Sequence, residues 1–210
     1  DFGQACLILF GWAVVYFVAG AHILLLIGVA AATIGLGSFS YTYSEHFARR
    51  IDGFLSPDLD PKTQLGYATN AIQEGGFFGV GVGEGQVKWS LPDAHTDFII
   101  AVAAEEYGFV LVGLILTLYA AVVCISLARL LRERDIFVRL AGTGLVCMFG
   151  IQAVINIGVA ARLLPAKGMT LPFVSYGGSS LIAGGITIGI LLALTRNRPQ
   201  KNVADIFIKG

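Results

Sequence analysis

Five apolar stretches, each near the length that crosses a lipid bilayer, constrain this chain more than any other feature. A hydrocarbon core about 30 Å thick calls for about 20 apolar residues in helical form. Helices are the default because every backbone polar group in lipid must be satisfied within the segment. The stretches run over Phe2 to Ala19, Ile23 to Tyr41, Phe98 to Leu131, Leu140 to Leu164, and Ser180 to Leu194. Composition agrees: 56% of the residues are hydrophobic and 13% charged, against about 25% charged in an ordinary soluble domain. The expected fold class is an all-α integral membrane protein, a polytopic helical bundle with a long extracytoplasmic loop. A formal net charge of +0 argues against a nucleic-acid partner, since phosphate binding needs clustered excess Lys and Arg.

The pattern divides the chain into two membrane helices at 1–41, a large loop at 42–97, three membrane helices over 98–195 with a second loop at 164–180, and a tail at 196–210. Arg129, Arg132, Arg134 and Arg139 crowd the short third-to-fourth connection, and Arg196, Arg198 and Lys201 follow the last span. By the positive-inside rule both are cytoplasmic, so both loops face outward. The large loop keeps Phe47, Phe54, Leu55, Tyr67, Phe77, Phe78 and Trp89, enough to pack locally, and a short helix is expected around Gln64 to Gln73. Cys6, Cys124 and Cys147 lie in apolar runs without metal-ligand spacing and read as packing residues. Asp1 enters the first span with no basic leader or cleavage site, and the missing initiator Met points to a fragment.

Chemistry concentrates at Leu91-Pro92-Asp93-Ala94-His95-Thr96-Asp97-Phe98. A carboxylate at the lip of an apolar span is costly unless hydrated, paired or lining a polar cavity, so Asp97 is a functional candidate. The alternative is helix capping by Thr96 or Asp97. Glu105 lies about two turns on, on roughly the same face, and with Glu106 implies an aqueous pocket, a cation site or a salt bridge. Gln152 and Asn156 form a polar stripe read as interhelical hydrogen bonding. Gly79-Val80-Gly81-Val82-Gly83-Glu84-Gly85 lacks the strand, helix and Lys-Ser/Thr of a nucleotide loop, so its glycines serve tight turning or close approach. In the second loop, Gly177 and Gly178 with Ser175, Ser179 and Ser180 could hold an anion, and Lys167 could pair with phosphate.

The run from Gly79 through Lys88 to Leu91–Phe98, then Ala104-Glu105-Glu106-Tyr107-Gly108-Phe109, then Leu164-Pro165-Ala166-Lys167-Gly168-Met169-Thr170-Leu171-Pro172-Phe173-Val174-Ser175-Tyr176-Gly177-Gly178-Ser179-Ser180, resembles the SEDS family of shape, elongation, division and sporulation proteins. The Lys-Gly-Met-Thr-Leu-Pro wording is closest to its division branch. Departures fall at Tyr67-Ala68, at Ile72-Gln73-Glu74-Gly75-Gly76 and at Arg162. Members have about ten membrane helices, each of bilayer length, so the chain resembles the C-terminal half.

The resemblance implies a peptidoglycan glycosyltransferase of the bacterial inner membrane, acting at the division septum. It would polymerise lipid II into a nascent glycan strand beside a class B penicillin-binding transpeptidase and other membrane proteins of division, within membrane lipid. Asp97 then maps onto the family's catalytic candidate. Arg50, Lys88, His95, Lys167, Ser175 and Ser179 are expected to bind substrate. A divalent cation, Mg or Mn, could be held by Asp97 and Glu106, since hard cations suit carboxylate and pyrophosphate oxygens. A lipid II flippase and a non-enzymatic division scaffold are the alternatives.

Overall fold

The computed structural model describes residues 2–56, 63–165 and 168–196, and among these all regular structure is helical. The helices are α1 Phe2–Val18, α2 Ile23–Tyr43, α3 Glu45–Leu55, α4 Gln64–Gly75, α5 Ile99–Leu130, α6 Ile136–Ala160 and α7 Gly178–Thr195, with one 3-10 turn at Val87–Trp89. Four of them, α2, α5, α6 and α7, are long and apolar enough to cross a membrane. α1, at 17 residues, extends about 25 Å by helical rise.

Local chemistry sets the ends. α6 starts four residues ahead of the expected Leu140 because the Asp135 carboxylate accepts from the amides of Phe137 at 2.9 Å and Val138 at 3.3 Å, a strong N-cap inside the charged connection. It stops at Ala160, short of the expected Leu164. There the Gly158 carbonyl accepts from the amides of Leu163 and Leu164 at 2.7 and 3.1 Å, while Arg162 turns left-handed at φ 57. The Arg162 guanidinium donates to the Ser56 carbonyl at 2.6 Å, tying this end to the exit of α3. α3 itself was not expected. Ser44 caps it through the Phe47 amide, and Phe47, Ile51, Phe54 and Leu55 recur at helical spacing.

α5 is two helices joined at Gly108, whose φ of 73 and ψ of −173 lie outside the helical region. A break frees backbone groups, and here the glycine-rich loop after α4 takes up four of them. The Val80 and Gly81 amides donate to the Glu105 and Glu106 carbonyls at 2.9 and 3.2 Å, and the Phe109 and Val110 amides donate to the Gly76 and Phe77 carbonyls at 3.0 and 3.3 Å. Backbone must lie on backbone for this. A Cβ on Gly108 would sit 2.3 Å from the Phe77 carbonyl oxygen, and one on Gly79 would sit 2.1 Å from that of Glu106. The glycine run is therefore a splint for a broken helix.

α6 is the centre of the bundle, packed against α1, α5 and α7. Gly11 and Gly144 leave room for Met148 and Val15 between α1 and α6. α2 carries no buried residue. Above the bundle, a core of Ala68, Ala71, Leu91, Ala94, Phe98, Ala101 and Val159 joins α4, the turn before α5, α5 and α6, which fixes the turn that holds Asp97.

Candidate functional site

The segment Leu91–Phe98 alternates between anchoring and presenting. Leu91, Ala94 and Phe98 are buried in that core, Asp93 and His95 are exposed and Asp97 is half-buried. The turn winds around one acceptor: the Asp93 carbonyl receives the amides of Thr96, Asp97 and Phe98 at 3.1, 3.1 and 3.3 Å. Asp93 reaches this geometry at φ 57, a left-handed conformation that a short polar side chain tolerates.

The second loop is sewn to this turn through main-chain carbonyls. Ser175 Oγ donates to the Thr96 carbonyl and accepts the Leu171 amide at 2.8 Å. The Tyr176 amide donates to the His95 carbonyl at 2.9 Å. Asn156 Nδ2 donates both to the Asp97 carbonyl at 2.9 Å and to the Met169 carbonyl, and Gln152 Nε2 donates to the Thr170 carbonyl at 3.2 Å. The stripe on α6 thus grips loops rather than another helix. Asn156 is almost wholly buried, and among the described residues its Oδ1 has no partner.

The Asp97 carboxylate stands apart from this stitching. Among the described residues it has no hydrogen-bond donor and no cation at ion-pair distance, and α5 is capped by Phe98 without any side-chain bond, so the capping alternative does not hold. Gly168 lies against it: a Cβ there would be 3.0 Å from Asp97 Oδ2. Burial holds the Asp97 carboxyl above the ordinary carboxylate range, and the negative charge of Asp93 raises it further.

Several expected substrate contacts are engaged elsewhere. Lys88 Nζ forms an ion pair with Glu106, both side chains mostly buried, and lies 5.4 Å from the Trp89 ring centroid. Its charge is matched rather than offered to pyrophosphate. Ser175 uses its hydroxyl on the backbone, as above, which corrects its reading as an anion ligand. Ser179 is exposed on the first turn of α7, and His95 is exposed beside Asp97. Arg50 lies on α3 with its side chain outside the described set, and Lys167 lies outside the described residues.

The carboxylates of α5 do not combine with Asp97. Glu105 is fully buried, and its oxygens accept the Val87 and Lys88 amides at 2.8 and 3.1 Å; Gly85 makes room, since a Cβ there would meet the carboxylate at 2.7 Å. Glu106 sits about 10 Å along the helix from Ile99 by helical rise and is committed to Lys88. Among the described residues no three His, Cys, Asp or Glu side chains are grouped to hold a metal ion, and the Glu106 carboxylate expected to share a cation with Asp97 is paired with Lys88.

Among the described residues the chain is an all-helical membrane bundle with an unpaired carboxylate on a turn at one end, and this defines the class. The chain belongs to the cell cycle protein family of FtsW, RodA and SpoVE, which matches residues 1–200. It is 44% identical over 200 residues to a probable peptidoglycan glycosyltransferase FtsW of Caulobacter vibrioides, covering 95% of this chain and 51% of that one. It is 36% identical over 202 residues to the stage V sporulation protein E of Bacillus subtilis, covering 93% and 55%. Among solved structures, a chain from a peptidoglycan synthase complex that coordinates polymerization and crosslinking superposes with TM-score 0.77 at 35% identity, covering 96% of this chain and 57% of that one. An aspartate-to-alanine mutant of the rod shape determining protein RodA from Thermus thermophilus superposes with TM-score 0.62 at 32% identity, covering 96% and 52%. The chain spans about half the length of the curated relatives it matches.

Proposed function

We propose that this chain is the part of a peptidoglycan glycosyltransferase that carries its catalytic carboxylate, with Asp97 as general base in the polymerisation of lipid II. The observation that carries the reading is the Asp97 side chain itself: half-buried, raised in pKa and unpartnered among the described residues, at the seam of two interlocked loops. Carboxylates with structural work in this chain are visibly engaged, as Glu105, Glu106 and Asp135 are.

The donor is a glycan α-linked to undecaprenyl pyrophosphate and the product is β-linked, so a single inverting displacement suffices. The 4-hydroxyl oxygen of the acceptor sugar attacks the donor's anomeric carbon, its proton passes to an Asp97 carboxylate oxygen, and the bond to pyrophosphate breaks with its electron pair on the departing oxygen. A carboxylate with a raised pKa is the better base for a hydroxyl. In this reading Lys167 and Arg50 neutralise the pyrophosphate, Lys88 being paired with Glu106, and His95 and Ser179 contact substrate.

Arginines at the far end of α5 and in its connection to α6 favour a cytoplasmic location for that end, with Asp97 outside. In this reading the protein sits in the bacterial inner membrane at the septum, beside a class B penicillin-binding transpeptidase and other division proteins. Kinship with a chain of a complex that couples polymerization to crosslinking supports the transpeptidase partner. The test is full-length protein with its transpeptidase partner in vesicles, supplied with labelled lipid II. Glycan polymer that disappears in Asp97→Asn, by about 10²- to 10⁴-fold in rate for a lost general base, supports the enzyme. Lipid movement without polymer would establish the flippase instead, and neither activity would leave a scaffold.

A further inference from the structure

The tip of the glycine-rich loop, Phe77 to Val82, faces outward with apolar side chains: Phe77 is 74% exposed, Phe78 85% and Val82 68%. Its height relative to the membrane is fixed by the backbone pairing with the α5 break, which locks residues 76–81 to residues 105–110. The second part of α5, from Phe109 to Leu130, rises about 33 Å, the thickness of one hydrocarbon core, and ends beside Arg129. A second measure agrees. From Ile136, where α6 leaves the charged connection, to Asn156, which binds the Asp97 turn, the rise is about 30 Å. Gly108 and the Asp97 turn are thus both at the membrane boundary on the loop side, and the loop tip lies at that same level.

Its surface also continues the exposed apolar surface of the span. Phe77 packs edge-on against Phe109, with ring centroids 6.2 Å apart, and Phe109, Val110 and Leu114 are exposed along the helix below. The polar residues of the loop gather in a cleft that Phe77, Phe78 and Val82 do not line: the Glu84 carboxylate lies against Gly81, and Glu84, Gln86 and Glu74 line a space of about 540 Å³ with Val80, Tyr67 and Asn70. Apolar rings at the boundary with polar groups set back is the arrangement of a segment seated among lipid headgroups and upper acyl chains.

We propose that Phe77, Phe78 and Val82 form a membrane-inserting tip that enters the lipid leaflet on the loop side and holds α4, the 3-10 turn and the Asp97 turn at a set height above the bilayer. The occupant of this apolar patch is lipid.

The experiment uses the full-length protein with its native cysteines replaced, carrying Phe78→Cys or Glu84→Cys labelled with an environment-sensitive fluorophore. It is reconstituted in phosphatidylcholine and phosphatidylglycerol vesicles. The probe at position 78 should emit further to the blue than the probe at 84, and be quenched by lipid spin-labelled high on the acyl chain more than by lipid labelled near the chain end or by aqueous iodide. The probe at 84 should respond mainly to iodide. Iodide quenching at 78 equal to that at 84 would place the tip in water and overturn the proposal. A probe at 78 reached by neither quencher would place it under another part of the protein and overturn it equally. Neither readout depends on polymerising activity.

Discussion

Gly108→Ala should be among the most damaging single-methyl additions in the chain, and the structure says by how much. An alanine at φ 73 and ψ −173 enters a region that side chains avoid, at about 1–3 kcal/mol. The added carbon would also lie 2.3 to 2.5 Å from the Phe77 carbonyl and the Gly79 nitrogen, backbone atoms that cannot rotate away. Relief requires the loop to move off, giving up some of four reciprocal hydrogen bonds worth about 0.5–1.5 kcal/mol each. Together these come to about 3–6 kcal/mol, a loss of about 6–24 °C in melting temperature at 2–4 °C per kcal/mol. Two controls separate the causes. Gly113 lies in the same helix with nothing within 4 Å, so Gly113→Ala should be neutral or stabilising by about 0.5–1 kcal/mol. Gly83 has φ 84 and open space, so Gly83→Ala should cost only the conformational strain, about 1–2 kcal/mol. Thermal unfolding of the full-length variants in detergent, followed by retention of monodisperse protein, ranks them. If Gly108→Ala melts within about 2 °C of Gly113→Ala, the splint account of the glycine loop is wrong.

Polymerisation should rise with pH through a midpoint above that of an ordinary aspartate, because Asp97 works as the anion and its pKa is raised. The same shift has a stability consequence. The native state holds this proton more tightly than the unfolded chain, so stability falls as pH climbs from the unfolded toward the folded pKa; Asp97→Asn should therefore be inactive yet at least as heat-stable as the parent at neutral pH. Asn156→Ala removes donors to the Asp97 and Met169 carbonyls and should cost about 1–3 kcal/mol; kinetics with lipid II should show a fall in kcat larger than the change in KM. Lys88→Met strands the Glu106 charge and should destabilise by about 3 kcal/mol; adding Glu106→Gln should restore part of the melting temperature, and failure to do so would refute a stabilising pair.

The membrane bundle was legible because lipid leaves few solutions for long apolar stretches, and composition alone narrowed the class. Asp97 was legible because an ionisable group at the lip of such a stretch is expensive. Other features depended on contacts that periodicity does not encode. Nothing local in Glu105-Glu106-Tyr107-Gly108 distinguishes a break from a tolerated glycine; the decisive fact is the loop at residues 76–81, far back in the chain, whose amides meet the freed carbonyls. Ser175 read as an anion ligand because hydroxyls beside glycines suit anions, yet its partner is the Thr96 carbonyl from another loop. Lys88 was free in the sequence and paired in space, since Glu106 is 18 positions away. α3 carried a signal that could have been used: a capping Ser44 followed by Phe47, Ile51 and Phe54.

Ser175, Asn156 and Gln152 hold the two loops by gripping carbonyl oxygens that every residue type possesses. Apart from Asp97, the positions being gripped, Thr96, Met169 and Thr170, contribute no side-chain bond to these clamps. Their identities are free to drift under selection for a different sugar or peptide without loosening the frame. Relatives that build chemically distinct walls should accordingly vary first at Thr96, Met169 and Thr170 and last at the clamps.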